Sequence, residues 1–267
     1  MTEIIGYALS ILIGVSLGLI GGGGSILTVP ILVYVFGLGA EISTSYSLFI
    51  VGLTALAGSM NFYRNKLINL KAAVIFSVPS LIAVFLTRKY IMPSLPDVIF
   101  TIGNFQYNKP MFIMTVFAAL MIAASVSMIR KSKPPDVSKI KPGHHYMFIF
   151  LEGAVVGVLT GFVGAGGGFL IIPALVLFAG LPMKEAVGTS LLIIAVKSLL
   201  GFTGDISAGV NIDWAFLAAV SFFTIGGIFI GSSLAKKIHG DKLKPAFGWF
   251  VLVMGIYIML RETLFKH

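Results

Sequence analysis

Two clusters of small residues have a composition and spacing that could bind a negatively charged solute. The first cluster consists of Gly21, Gly22, Gly23, Gly24 and Ser25, and the second of Gly164, Ala165, Gly166, Gly167 and Gly168. Glycine tolerates positive φ and leaves the backbone open to close approach by a ligand. A helix that begins at the end of each cluster would also direct free N–H groups and a positive dipole end towards that ligand. We therefore expect both clusters to contact the substrate.

Close helix packing or a hinge is the alternative role for these glycines, since small residues at four-residue spacing let helices approach one another. We assign close packing to four glycines that precede the clusters: Gly14, Gly18, Gly157 and Gly161. A phosphate-binding P-loop is excluded, because no Gly-Lys-Ser/Thr ending follows either cluster. Each cluster is followed by a proline, Pro30 or Pro173, and we expect these prolines to mark helix breaks.

A pair of hydroxyl residues follows each cluster, at the point where the next helix is expected to begin. The pairs are Thr44 with Ser45, and Thr189 with Ser190. Such side chains could cap the helix that they open, or they could donate hydrogen bonds to a bound anion. The recurrence of the pair in both halves keeps substrate binding open beside capping.

Lys197 lies in the middle of an apolar stretch and has no counterpart in the first half of the chain. A lysine at the centre of a membrane span costs roughly 3 kcal/mol, so we expect it to serve as the counter-charge of an anion. The alternative is a purely structural ion pair with Glu152 or Asp205. These two acids either carry a coupling proton or lie at the membrane interface.

The composition places these residues in a membrane. The chain has 267 residues, of which 57% are hydrophobic and 11% charged, and its mean hydropathy is +1.01. Soluble domains carry about 25% charged residues. The apolar runs are continuous and long enough for spanning helices of ~20 residues, whereas the strands of a barrel would alternate. The fold class is therefore an all-α integral membrane protein.

Several classes of site and partner are disfavoured by the residue types present. The chain has no cysteine, which excludes disulfides and thiolate metal ligands. All four histidines lie in predicted loops or at the chain end, and no paired carboxylates occur at membrane depth. We therefore expect no metal, no cofactor and no enzymatic centre. The net charge of +9 is assigned to the basic residues of cytoplasmic loops rather than to nucleic-acid binding.

The chain consists of two copies of one unit. At a shift of 143 residues, five of the ten positions from 21 to 30 are identical with those from 164 to 173. We place the first repeat at residues 1–130, a basic cytoplasmic linker at 131–145, and the second repeat at 146–267. In each repeat a glycine-broken apolar stretch is followed by three predicted spans. These are residues 42–62, 72–87 and 111–129 in the first repeat, and 186–204, 212–235 and 245–260 in the second.

The orientation of the repeats depends on whether each glycine-broken stretch crosses the membrane once or returns as a hairpin. A single crossing gives eight spans and divides the loop Lys and Arg residues 10 to 8 between the two sides; hairpins, counted as two spans each, give ten and divide them 13 to 5. Cytoplasmic loops carry an excess of basic residues. We therefore predict two inverted repeats, each opening with a hairpin, and both termini outside the cytoplasm. The second hairpin arms are predicted at residues 25–38 and 168–181, and residues 88–110 as a loop.

The sequence resembles the sulfite exporter TauE/SafE family of membrane permeases. Three segments carry the resemblance: Gly18 to Ser25 (Gly-Leu-Ile-Gly-Gly-Gly-Gly-Ser), Gly161 to Gly168 (Gly-Phe-Val-Gly-Ala-Gly-Gly-Gly), and Gly188 to Ile194 (Gly-Thr-Ser-Leu-Leu-Ile-Ile). The pattern extends over essentially the whole chain. The resemblance implies transport of sulfite, sulfonates or related anions without ATP-binding subunits.

These observations predict a multi-pass secondary transporter of the cell membrane. It would move a small anion, most simply a sulfur oxyanion or organosulfonate such as sulfite, by alternating access around the two glycine clusters. An uncoupled anion channel, or a permease for another small organic anion, is the alternative. The expected partners are the anion, the lipid bilayer and protons as the coupling ion, and a homo-oligomer is compatible with the sequence.

Overall fold

A computed structural model describes residues 2–22, 24–102, 105–130, 142–164, 167–177, 180–235 and 240–264. Helices account for most of this part of the chain, and they are interrupted by one short β-ribbon. In the first half the elements are α1 (Thr2–Ile20), α2 (Ser25–Tyr34), α3 (Ala40–Arg64), α4 (Leu70–Leu86), α5 (Met92–Ser94), β1 (Val98–Ile102), β2 (Phe105–Asn108) and α6 (Lys109–Ile129). In the second half they are α7 (Pro142–Val163), α8 (Gly168–Leu177), α9 (Met183–Ser207), α10 (Trp214–Ala235) and α11 (Gly240–Leu264). Most of the predicted linker, 131–145, lies outside the described residues.

Five helical segments in the described part are long and apolar enough to cross a membrane. They are Ala40–Arg64, Leu70–Ser94, Lys109–Val126, Met183–Ser207 and Trp214–Ala235. Buried residues make up 72% of the most apolar window of α3 and of α9, against 39–50% in the other three segments. The predicted all-α membrane fold is confirmed, and α3 and α9 form its central pair.

The predicted loop at residues 88–110 is wrong in its first part. The helix continues beyond α4 through a π-helical turn, Thr87–Ile91, into α5, and the antiparallel strands β1 and β2 follow. The basic pair Arg88 and Lys89 resembles the end of a span, but apolar Ile91 and Met92 continue the helix. The small ribbon is the one described departure from an all-helical chain.

The second arms of the two glycine-broken stretches are shorter than predicted. Both α2 and α8 contain 10 residues instead of 14, which is ~15 Å of helix. They end in matching turns: Leu38 N donates to Leu32 O, Leu181 N donates to Leu175 O, and both bonds are 3.1 Å. Each turn contains a glycine of positive φ, a common way to end a helix. Neither arm alone crosses a hydrocarbon core of ~30 Å.

Helices from opposite halves pack against each other in a reciprocal pattern. The first helix of each half packs on a late helix of the other, α1 on α10 and α7 on α4. In addition α3 packs on α9, α6 on α11 and α2 on α8. A methyl group at Gly18 would lie 2.7 Å from Ser232 N, and one at Gly157 would lie 2.6 Å from Ser80 O. The predicted close-packing role of Gly14, Gly18, Gly157 and Gly161 is confirmed.

The glycine contacts also give the helix directions. Gly14 faces Thr224, whereas Gly18 faces Ser232, so α1 and α10 are parallel. The contacts of Gly153 with Phe76 and of Gly161 with Thr87 make α7 parallel to α4 in the same way. By contrast, α3 and α9 are antiparallel, because Gly188 at the start of α9 contacts Phe62 near the end of α3.

Two neighbouring glycines of α10 give a matched test of this packing. A methyl group at Gly227 would lie 3.0 Å from Val15 N of α1, whereas one at Gly226 would meet nothing within 4 Å. We expect Gly227→Ala to lower the free energy of unfolding by about 1–3 kcal/mol through overpacking. Gly226→Ala should leave it unchanged or slightly raised. Thermal unfolding in detergent measures both, and equal effects would contradict the α1–α10 contact.

Candidate substrate site

The two glycine clusters meet directly in the structure. A methyl group at Gly22 would lie 2.6 Å from the carbonyl oxygen of Gly168, and one at Gly168 would lie 3.0 Å from Gly22 O. The contact joins backbone to backbone, so only residues without a side chain fit on both sides. The break after α1 and the break before α8 therefore form one junction between the halves.

Backbone conformation at the breaks requires glycine at three described positions. Gly21, Gly164 and Gly167 have φ of +76°, +68° and +71°, in the left-handed region. Gly21 and Gly164 are counterparts in the repeat, and each donates a hydrogen bond to the carbonyl four residues earlier, of Leu17 (2.7 Å) or Thr160 (2.8 Å). In both halves the chain therefore leaves the first helix in the same way.

The two breaks differ after this common start. Gly24, the counterpart of Gly167, has a right-handed φ of −64° and packs against α1. The hydroxyl of Ser25 donates back to Gly22 O at 2.7 Å. Gly23, Ala165 and Gly166 lie outside the described residues, so their predicted contacts with the substrate stay predictions.

Lys197 lies beside the second break. Its side chain is fully buried, and Nζ has no hydrogen-bond partner among the described residues. A methyl group at Gly167 would lie 2.9 Å from Nζ and 3.2 Å from Thr160 Cβ. The ammonium group thus lies next to the residue that precedes α8, where the helix N-terminus adds positive potential.

The alternative role of Lys197, a structural ion pair with Glu152 or Asp205, is not found in the described part of the chain. Asp205 pairs with Arg88 instead, at 3.5 Å between Oδ2 and Nη1. Glu152 is half-buried, and its Oε2 has no partner among the described residues. Asp205 is 4% exposed and paired, and its predicted position at the membrane interface stays a prediction. Proton coupling through either acid stays a prediction.

Both hydroxyl pairs lie inside helices, which contradicts the capping alternative. Gly39 precedes α3 and Pro182 precedes α9, so Thr44 and Thr189 lie more than a turn beyond each helix start. Both helices begin earlier than predicted. Each helix is preceded by an extended residue, at ψ 146° or 145°, that has no capping side chain.

The hydroxyl pairs instead connect the two halves. Ser190 Oγ donates to Gly21 O at 3.1 Å, and Thr189 Oγ1 accepts from Asn69 N at 2.9 Å. In the other half, a methyl group at Gly164 would lie 2.6 Å from Thr44 Cα. Thr44 and Ser45 are buried in the second turn of α3. Each pair therefore lies near the break of the opposite half, and direct contact with a substrate stays a prediction.

Both prolines lie within helices and not at the breaks. Pro30 is the sixth residue of α2, and α8 continues through the position of Pro173. Proline removes one helical hydrogen bond, which in α2 would have gone to the carbonyl of Ile26. In the described residues, the helices are interrupted at glycines and not at these prolines.

Arg88 is a buried cation that the sequence interpretation missed. It lies in the π-helical turn, is 2% exposed, and donates from Nη1 to Thr44 Oγ1 at 3.0 Å. The apolar residues after Lys89 were the available signal that the helix continues. With Lys197 it makes two buried positive charges and one buried carboxylate near the second break.

The chain matches one known protein family over almost its whole length. Residues 7–258 match the family described as Sulfite exporter TauE/SafE. The chain belongs to this family. The matched region of this TauE/SafE protein includes both breaks, both hydroxyl pairs, Arg88 and Lys197.

Its curated relatives are named as transporters. A probable membrane transporter protein of Xylella fastidiosa is 29% identical over 268 residues, which cover 94% of this chain and 92% of the relative. The probable membrane transporter protein YunE of Bacillus subtilis is 24% identical, with 97% and 96% covered. One from Methanocaldococcus jannaschii is 26% identical, with 94% and 95% covered. This TauE/SafE protein is a membrane transporter.

Proposed function

We propose that this protein is a secondary transporter of the cell membrane for a small anion. The substrate class is a sulfur oxyanion or organosulfonate, of which sulfite is the simplest. The observation that carries the proposal is the ammonium group of Lys197, which is fully buried beside Gly167 at the N-terminal end of α8 and has no hydrogen-bond partner in the described part of the chain. An uncompensated buried charge is costly, and a bound anion would compensate it.

The helix directions support two inverted repeats. A short connection joins α9 to α10, so these two helices are antiparallel. Helix α1 is parallel to α10, and α3 is antiparallel to α9. Thus α1 and α3 run in the same direction, and α2 between them returns the chain as a hairpin arm. The counterpart α7 runs with α4, opposite to α1. Inverted repeats whose broken helices meet at a central site are typical of alternating-access transporters.

The proposed topology has an independent test, because the chain has no cysteine of its own. Single cysteines at Ala208, between α9 and α10, and at Lys66, between α3 and α4, lie on opposite sides in inverted repeats and on the same side if each glycine-broken stretch crosses once. We expect a membrane-impermeant maleimide to label Ala208→Cys in intact cells and Lys66→Cys only after permeabilisation. Labelling of both under the same condition would contradict inverted repeats.

Uptake into proteoliposomes tests the function. Labelled sulfite, thiosulfate, sulfate and methanesulfonate would be compared with and without a proton gradient. We expect one or more to saturate and to accelerate when the same anion is placed on the far side. Saturation without such acceleration favours an uncoupled channel, and a response to the gradient favours protons as the coupling ion, with Glu152 and Asp205 as candidate carriers. If no anion moves through folded protein, the proposal fails.

A further inference from the structure

Arg88 has donors that no described residue uses. Its Nη1 donates a hydrogen bond to Thr44 and forms an ion pair with Asp205, whereas Nε and Nη2 are buried and have no hydrogen-bond partner in the described part of the chain. Buried polar groups are normally satisfied, so each exception needs an explanation. The two unused donors are adjacent on one planar edge of the guanidinium group.

That edge has a defined chemical preference. The Nε and Nη2 groups of arginine donate two parallel hydrogen bonds to two oxygens of a carboxylate, phosphate or similar group. Sulfite and sulfonates present oxygens in a comparable arrangement. The contacts of Nη1 with Thr44 and Asp205 hold the guanidinium group in place, and no described residue occupies the Nε–Nη2 edge.

The position of Arg88 places it between the protein surface and Lys197. Thr44 donates to the carbonyl oxygen of Glu41 at 2.8 Å while it accepts from Arg88. The Glu41 side chain is 52% exposed and pairs with Lys109 at 2.7 Å. On the inner side, Asp205 follows Lys197 by eight residues of α9, which is ~12 Å along the helix.

We propose that the Nε–Nη2 edge of Arg88 is a second oxyanion site, separate from the site at Lys197. It holds the anion on its way between two places. One is the side of the membrane at which α5 and the β-ribbon lie, and the other is the junction of the two breaks. This inference rests on the proposed anion transport. Asp205 holds the guanidinium in place and also competes electrostatically with the anion, because both are negative.

Binding stoichiometry of anaerobic labelled sulfite to the purified full chain, by equilibrium dialysis, tests this site. We expect two ions per chain in the wild type and one in Arg88→Lys, because lysine keeps the charge but has no planar two-donor edge. Lys197→Met should also bind one. The ion retained by Arg88→Lys shows at the same time that this variant is folded.

Asp205→Asn supplies a test that a structural role would not satisfy. It removes the competing charge at nearly constant volume, so we expect the Arg88 site to bind sulfite at least threefold more tightly. A merely structural ion pair predicts weaker or unchanged binding, and unchanged affinity in Asp205→Asn overturns the proposal.

The outcomes separate this inference from the proposed function. One ion per chain in both the wild type and Arg88→Lys, lost in Lys197→Met, overturns the Arg88 site and leaves anion transport standing. An Arg88→Lys protein that binds no sulfite but keeps the wild-type melting temperature overturns the separation into two sites. No binding of sulfite or methanesulfonate to the wild type overturns the transport proposal together with this inference.

Discussion

Replacement of Lys197 by methionine is expected to reduce anion uptake about 100-fold, since loss of a buried charge partner costs ~3 kcal/mol at 1.4 kcal/mol per tenfold. The same change should stabilise the substrate-free protein. The wild-type ammonium group is buried and has no hydrogen-bond partner among the residues that the structure describes, and an unsatisfied buried group costs about 1–3 kcal/mol or more if charged. Initial rates in proteoliposomes and thermal unfolding in detergent measure the two effects.

The opposite signs of these effects make the test specific. If Lys197 merely held the bundle together, its substitution would lower the stability of the protein and its transport rate together. Lys184→Met is the matched control, because Lys184 is exposed in the first turn of the same helix. It should change neither quantity. Wild-type uptake by Lys197→Met would show that the ammonium group is not the counter-charge of the substrate.

Gly22→Ala is expected to reduce the rate of uptake more than tenfold. The added methyl group meets the backbone of Gly168, which cannot move aside as a side chain would. The first break would move away from the second, and the N-terminus of α8 would be displaced as well. Initial uptake rates at saturating anion, with melting temperatures alongside, measure the effect.

The reciprocal substitution provides the internal check. Gly168→Ala perturbs the same contact from the other half, so the double variant should be less impaired than the product of the two single effects. Gly226→Ala, a helical glycine with open space around it, should transport at the wild-type rate. Additive effects of the two substitutions, or equal losses in Gly226→Ala, would contradict a shared junction.

Much of the architecture could be predicted because it depends on local composition. Long apolar runs identify spans wherever they lie, and the repeated glycine clusters identified both breaks by self-comparison alone. Lys197 was recognisable because a cation inside an apolar run is unusual in any context. The arms α2 and α8 were predicted too long because apolar residues continue into the turns at Gly37 and Gly180.

The missed features depend on contacts between distant parts of the chain. Burial of Arg88 requires Asp205, 117 positions later, and the basic pair Arg88 and Lys89 looks locally like the end of a span. The hydroxyls of Ser190 and Thr189 are tied to Gly21 and Asn69 of the other half. No local propensity specifies such partners, so the sequence could suggest the residues but not their neighbours.

The reciprocal packing of α1 and α10 has a consequence for biosynthesis. The glycines of α1 that face α10, Gly14 and Gly18, leave the ribosome ~200 residues before Thr224 and Ser232 do, which is roughly 10–40 s at 5–20 residues per second. Throughout that interval α1 lacks the helix against which Gly14 and Gly18 pack. The two halves therefore cannot complete their folding one after the other. Helix packing in the first half is complete only after the last helices of the second half have been synthesised.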